Sequence, residues 1–151
     1  MAYAQPVATI RSENNWQEHL VDPLGNLSEE QQVIVISALR HLPPHMPPKS
    51  TMALIGLIAS NKFNSVVEWG SGGSTVLAVA LGEAKVFSLE TDLEWIKKTQ
   101  SVVNKFFPES KTQLQLLHRD IGPTRRWGFP IEPPSTPSIQ KYLELDFRFE
   151  R

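Results

Sequence analysis

The chain has 151 residues, with 15 basic against 16 acidic side chains, and its formal net charge of -1 supplies no field that would steer it to nucleic acid or an anionic membrane. With no cysteine at all, disulfides, thiolate zinc sites and cysteine nucleophiles are excluded. The length suits one domain, the start MAYAQPVATIRSENN has no basic segment followed by an apolar core, and the oily run Met52 to Ala59 is far short of the ~20 residues that span a bilayer. The expectation is a soluble, cytoplasmic protein with neither a nucleic-acid nor a membrane partner.

Residues 1–27 are polar, punctuated by Pro6, Pro23 and Gly25, and read as a loosely attached N-terminal arm. Ser28-Glu29-Glu30-Gln31 is a capping box, the serine reaching the third helical N–H while Gln31 reaches back. Val33, Ile34, Ala38 and Leu39 follow at helical spacing and predict a helix over 28–41. The run His-Leu-Pro-Pro-His-Met-Pro-Pro stops it, because proline removes a donor and clashes with the preceding turn. A second helix starts near Pro48 to Thr51, with Leu54, Ile55, Leu57 and Ile58 as its buried side.

The strand Ser65-Val66-Val67-Glu68-Trp69 then meets a turn of small residues and a helix through Val76, Leu77, Val79, Ala80 and Leu81. A second strand over 84–89 delivers Glu90, and Thr91-Asp92-Leu93-Glu94 reads as another capping box. The helix it opens, with Leu93, Ile96, Val103, Phe106 and Phe107 on one face, ends near Pro108, and 112–121 alternates enough to be a third strand. Strand, helix, strand, helix, strand with short links is the pattern of a parallel sheet flanked by helices, an α/β domain over 28–121. After Gly122 the chain is Pro-rich loop, and 142–147 is a candidate fourth strand within a short element over 142–151.

In such a sheet ligands sit outside the carboxyl ends of the strands. Gly70 and Gly72 let backbone N–H groups approach a ligand, and Ser74 or Thr75 can cap the helix that follows. Glu90, twenty positions beyond Gly70, has two acceptor oxygens for the two hydroxyls of a ribose, and Asp120 at the third strand end could accept from an adenine amino group. Plainer readings stand beside these: a tight corner for the glycines, a solvated helix start for Glu90, an ordinary turn for Asp120. A dinucleotide fingerprint counted from Gly70 puts its last glycine at Thr75, which disfavours NAD, and no Gly-Lys-Ser/Thr phosphate loop occurs. His41 and His45 have the spacing of a helical metal pair, but Pro43 and Pro44 stand between them and no metal site is assigned. Arg125-Arg126 reads as solvated surface, and Trp127 as packing or a lid over the pocket.

Glu68-Trp69-Gly70-Ser71-Gly72-Gly73-Ser74-Thr75 followed by Glu90 resembles the cofactor-binding half of class I S-adenosylmethionine-dependent methyltransferases, in a branch whose first loop reads Glu-x-Gly-Ser-Gly-Gly-Ser-Thr. The resemblance covers Pro47 to Trp127 and implies a Rossmann-like fold with S-adenosylmethionine as cofactor and a small molecule as methyl acceptor. It implies that Glu68 and the Gly70, Ser71, Gly72 backbone, with Gly73, Ser74 and Thr75 opening the helix, face the methionine portion. Glu90 would hold the ribose, and Asp120 with Ile121 would lie beside the adenine. The later strands that carry acceptor-binding groups in the family have almost no counterpart here, so the domain reads as shortened after the third strand, and a catalytically incomplete cofactor-binding or partner subunit is the alternative. Catalytic residues are not assigned; Asp146 is a guess from a likeness to the fourth-strand segment. The family's first strand is central, so Val66 and Val67 are expected on an apolar edge that Tyr142 to Arg151 or a second chain, as in a homodimer, covers.

Overall fold

The structure is a computed structural model that describes residues 24–25, 27–60, 62–82, 85–125 and 128–144. Helix α1 spans Glu29–His41, and Ser28 caps it with the reciprocal bonds foreseen: Gln31 N donates to Ser28 Oγ at 3.2 Å and Ser28 N to Gln31 Oε1 at 3.0 Å. Helix α2, Pro48–Ala59, opens on proline, which loses no helical bond at a first position. Then come β1 (Ser65–Trp69), α3 (Gly73–Leu81), β2 (Lys85–Glu90), α4 (Leu93–Phe106), β3 (Leu114–His118) and α5 (Thr136–Leu143).

The three strands form one parallel sheet in the order β1-β2-β3, with Glu68 opposite Ser88 and Glu90 opposite His118. Central β2 is flanked on both sides, and Val86 to Glu90 are all buried. The core joins Val86 to Val76, Leu77 and Ala78 of α3, Val35, Ala38 and Leu39 of α1, Ile55 and Ile58 of α2, and Val102 of α4. Burying such side chains is the main favourable term in folding, about 1.5–3 kcal/mol for each large aliphatic. This α/β architecture, a three-stranded parallel sheet flanked by helices, is the one the sequence predicts.

Several boundaries and faces differ. The arm over 1–27 enters the core at its end, since Leu24 is only 1 % exposed and its carbonyl accepts from Leu27 N at 2.8 Å; residues 1–23 lie outside the described residues. Val33, Leu57 and Leu93, expected inward, are 63 %, 54 % and 49 % exposed, and Thr51, Val35 and Thr99 take buried places instead. The cap of α4 is Asp92 rather than Thr91, its Oδ1 accepting from Glu94 N at 2.9 Å and Trp95 N at 3.1 Å. The third strand is shorter than 112–121 because Thr112 turns its hydroxyl to Gly82 O at 2.6 Å, and Asp120 closes a turn by accepting from Gly122 N at 2.8 Å.

Tyr142 and Leu143 of the candidate strand 142–147 are the last turn of α5. Ser135 caps that helix, accepting from Ser138 N at 3.3 Å, and Pro137 sits in its first turn, so the local code is helical. Residues 145–147, and with them Asp146, lie outside the described residues. No strand pairs with the outer edge of β1 among the described residues, where Val66 and Val67 are half-buried. No described helix is long and apolar enough to cross a membrane.

Candidate functional site

The turn between β1 and α3 can exist only with glycine at its corners. Gly70 has φ +93 and Gly72 φ +154, values that side chains with a Cβ rarely adopt, and Gly70 N donates to Leu89 O at 2.7 Å, tying the corner to β2. Gly73 is needed for space: a Cβ there would stand 2.6 Å from Pro44 Cα, so the Pro43-Pro44 loop lies directly against the first residue of α3. Helix α3 starts at Gly73, and Thr75 secures it from inside, its Oγ1 accepting from Gly72 N at 2.8 Å. The same hydroxyl donates to Glu68 Oε1, and Ser74 Oγ donates to Glu68 Oε2 at 2.6 Å. Glu68 therefore sits behind the turn as its clamp. Burial pushes its carboxyl above the usual carboxylate range, the two hydroxyls oppose that, and the nearby Glu90 charge adds to it.

Glu90, 7 % exposed, joins the two strand ends. Its Oε2 accepts from Ser71 N at 2.9 Å and Ser71 Oγ at 3.2 Å. Its Oε1 accepts from Thr91 N at 2.7 Å, Asp92 N at 3.0 Å and Thr91 Oγ1 at 3.4 Å. Three backbone amides at ordinary lengths thus aim the carboxylate, and two side-chain hydroxyls, one on each oxygen, add contacts longer than a normal O–H···O bond. Trp95 Nε1 donates to Ser71 O at 2.6 Å and Ser71 Oγ meets Thr99 Oγ1 at 3.3 Å, so α4 braces the turn from the far side.

These groups wall a cavity of about 590 Å³, within the range of small-molecule and cofactor sites. Gly70, Ser71, Gly72, Gly73 and Ser74 form one side and Leu89, Glu90, Thr91 and Asp92 another; Trp69, Trp95, His45, Met46, Gly128 and Tyr142 complete it. Of the residues read from the sequence as cofactor-binding, Gly70 to Ser74 and Glu90 meet at this cavity, whereas Glu68, Thr75, Asp120 and Ile121 are not among its lining residues. The first turn of α3, whose N–H groups have no intrahelical acceptor, contributes partial positive charge to the wall.

Sequence reading missed the other walls for identifiable reasons. His45 and Met46 reach the rim only because Gly73 lets the proline loop in, and His41, the other half of the spacing pair, is the last residue of α1 with its ring 5.4 Å from that of Phe106. Trp127 lies outside the described residues, but its neighbour Gly128 lines the cavity, closely enough that a Cβ there would stand 2.7 Å from Thr91 Oγ1. Thr124 and Pro130 pair across that loop, and Arg125 N donates to Phe129 O at 2.8 Å. Tyr142, in the stretch 142–147 that the sequence predicts as a strand, reaches the cavity from α5. Burial and the Glu90 carboxylate push its phenol above its usual value. Among the described residues no group of three or more His, Asp or Glu side chains could hold a metal ion.

Neither a protein-family model nor a curated protein matches the chain. A solved structure does: a methyltransferase-like protein from Silicibacter pomeroyi DSS-3 is similar with a TM-score of 0.54 and 33 % sequence identity. The match covers 60 % of this chain and 46 % of that one, so the chain spans less than half the length of the protein it resembles. The fold is methyltransferase-like.

Proposed function

We propose that the cavity binds S-adenosylmethionine and that the protein transfers its methyl group to a small-molecule acceptor. The observation that carries this reading is the Glu90 carboxylate, hydrogen-bonded to Ser71 of the glycine turn, with both residues facing one cavity of cofactor size. The likeness to a methyltransferase-like protein points the same way. The walls fit the parts of such a ligand. A vicinal diol replaces the two long hydroxyl contacts on Glu90, those of Ser71 Oγ and Thr91 Oγ1, while the three amides keep the carboxylate aimed. Ser71 Oγ retains Thr99 Oγ1 when it yields. The α3 N-terminus suits a carboxylate, and the half-exposed ring of Trp69 offers an aromatic face that tolerates a cation.

The Gly70 to Ser74 turn and Glu90 would hold S-adenosylmethionine, which when bound would supply an electrophilic sulfonium methyl to the acceptor. The chain's own part is alignment and exclusion of water, a contribution of proximity and orientation. Calorimetric titration with S-adenosylmethionine tests the binding: one site per chain is expected, weakened at least ~10-fold in Glu90→Gln, since hydrogen bonds to a charged group contribute about 1.5–3 kcal/mol. Absence of heat at millimolar ligand from folded protein rejects the reading. Formation of S-adenosylhomocysteine over a panel of acceptors tests the transfer, and binding without product on every acceptor would leave cofactor binding alone.

A further inference from the structure

We infer that Tyr142 is a ligand-contacting residue of this cavity, its phenol donating to a ribose hydroxyl that in turn donates to Glu90. The inference rests on the nucleoside reading above. It is carried by how α5 spends its side chains. None of its eight residues is buried, Ile139 and Leu143 are 42 % and 59 % exposed, and only Ser138 and Tyr142, four positions apart on one face, are half-buried. A helix this short does not stand by itself in water. Its described anchors are the Ser135 cap and the bond from Arg119 Nη2 to Glu144 O at 3.3 Å. Its aromatic ring takes no part in the hydrophobic core and lines the cavity instead.

The chemistry of the pair is complementary. Burial and the negative Glu90 keep the phenol protonated, so it enters the cavity as a donor. Glu90 is acceptor-only and already receives five donors, so the phenol proton is better directed to an oxygen between them. A ribose hydroxyl supplies that oxygen, accepting from Tyr142 while giving its own proton to Glu90, and such chains strengthen one another. The ring adds apolar cover, and α5 becomes the element that closes over the bound sugar.

The test is titration of the whole chain with S-adenosylhomocysteine, comparing wild type, Tyr142→Phe and Tyr142→Ala, alongside amide exchange over residues 136–143. Tyr142→Phe keeps the ring and removes one hydrogen bond, and should weaken binding about 3- to 10-fold. Tyr142→Ala should weaken it by more than about 10-fold as apolar cover is also lost. In wild type, residues 136–143 should gain exchange protection on binding, and in Tyr142→Ala that gain should vanish. If wild type binds and both variants bind within about twofold of it, the tyrosine does not touch the ligand. If Tyr142→Ala is weakened and Tyr142→Phe is not, the ring packs but the hydrogen-bond chain is wrong. If folded wild type binds neither S-adenosylhomocysteine nor S-adenosylmethionine, the nucleoside reading itself fails and takes this inference with it.

Discussion

Glu68 is held where its charge is costly. Its carboxyl is clamped by the hydroxyls of Ser74 and Thr75 behind the glycine turn, and burial still raises its proton affinity above the ordinary carboxylate value of 4.5. The consequence for stability has a definite sign. Between the unfolded and folded values the native state binds more protons than the unfolded chain, so stability falls as pH rises through that window and is level above it. Melting temperature measured from pH 4 upward should therefore show a declining segment that begins near the ordinary carboxylate value. In Glu68→Gln that segment should be absent, because the amide has nothing to ionise; its single oxygen accepts from one of the two hydroxyls and its NH2 faces the other. An unchanged profile in the variant would assign the decline to another group.

At the scale of elements, two glycines in helices should respond to alanine with opposite signs. Gly73→Ala drives a methyl into the backbone of Pro43 and Pro44, and should cost about 1–3 kcal/mol as the proline loop and α3 separate. Gly56, inside α2 with no atom within 4 Å of an added Cβ, gains helix propensity, and Gly56→Ala should stabilise by about 0.5–1 kcal/mol. Urea unfolding of the two variants checks both. Equal effects would mean that the close approach at Gly73 is absent in solution.

The same elements show what a sequence can disclose. β1, the glycine turn and Glu90 were legible because strand-to-helix turn chemistry is local: Gly-Ser-Gly-Gly permits the positive-φ corners that other residues resist, and the parallel register then sets Glu90 beside Trp69 and Gly70. The inward faces of α1, α2 and α4 were less so. Helical period selects a stripe, but the neighbours decide which margin is covered, and Val33, Leu57 and Leu93 fell on the exposed one. Tyr142 was out of reach. It comes to the cavity across a Pro-rich loop whose path no period encodes, on a helix whose start lies in Ser135 and Pro137 rather than in its apolar residues.

At the scale of the molecule, β1 is the outermost strand on its side of the sheet among the described residues, although its valines are half-buried and Trp69 beside them is 49 % exposed. Lys85 N donates to Asn64 O and Gly70 N to Leu89 O, so by alternation Val66 and Glu68 turn their N–H groups to β2 and Val67 turns its own outward. An apolar edge of this kind invites pairing, and the expected outcome is that a second copy or further polypeptide covers it in solution. Amide exchange measures this directly. Val67 should be protected as well as Val66 and Glu68, with protection that rises with protein concentration if the cover is a second copy. Exchange at Val67 far faster than at its neighbours would show a bare edge.

The position of β1 would also tie any chain docked at its edge to the cavity. The strand whose outer edge has no partner among the described residues ends in Trp69 and runs into Gly70, two of the residues that wall the cavity. By thermodynamic reciprocity, whatever factor a chain docked there would lend to affinity for the proposed nucleoside, that nucleoside would return to the affinity of docking.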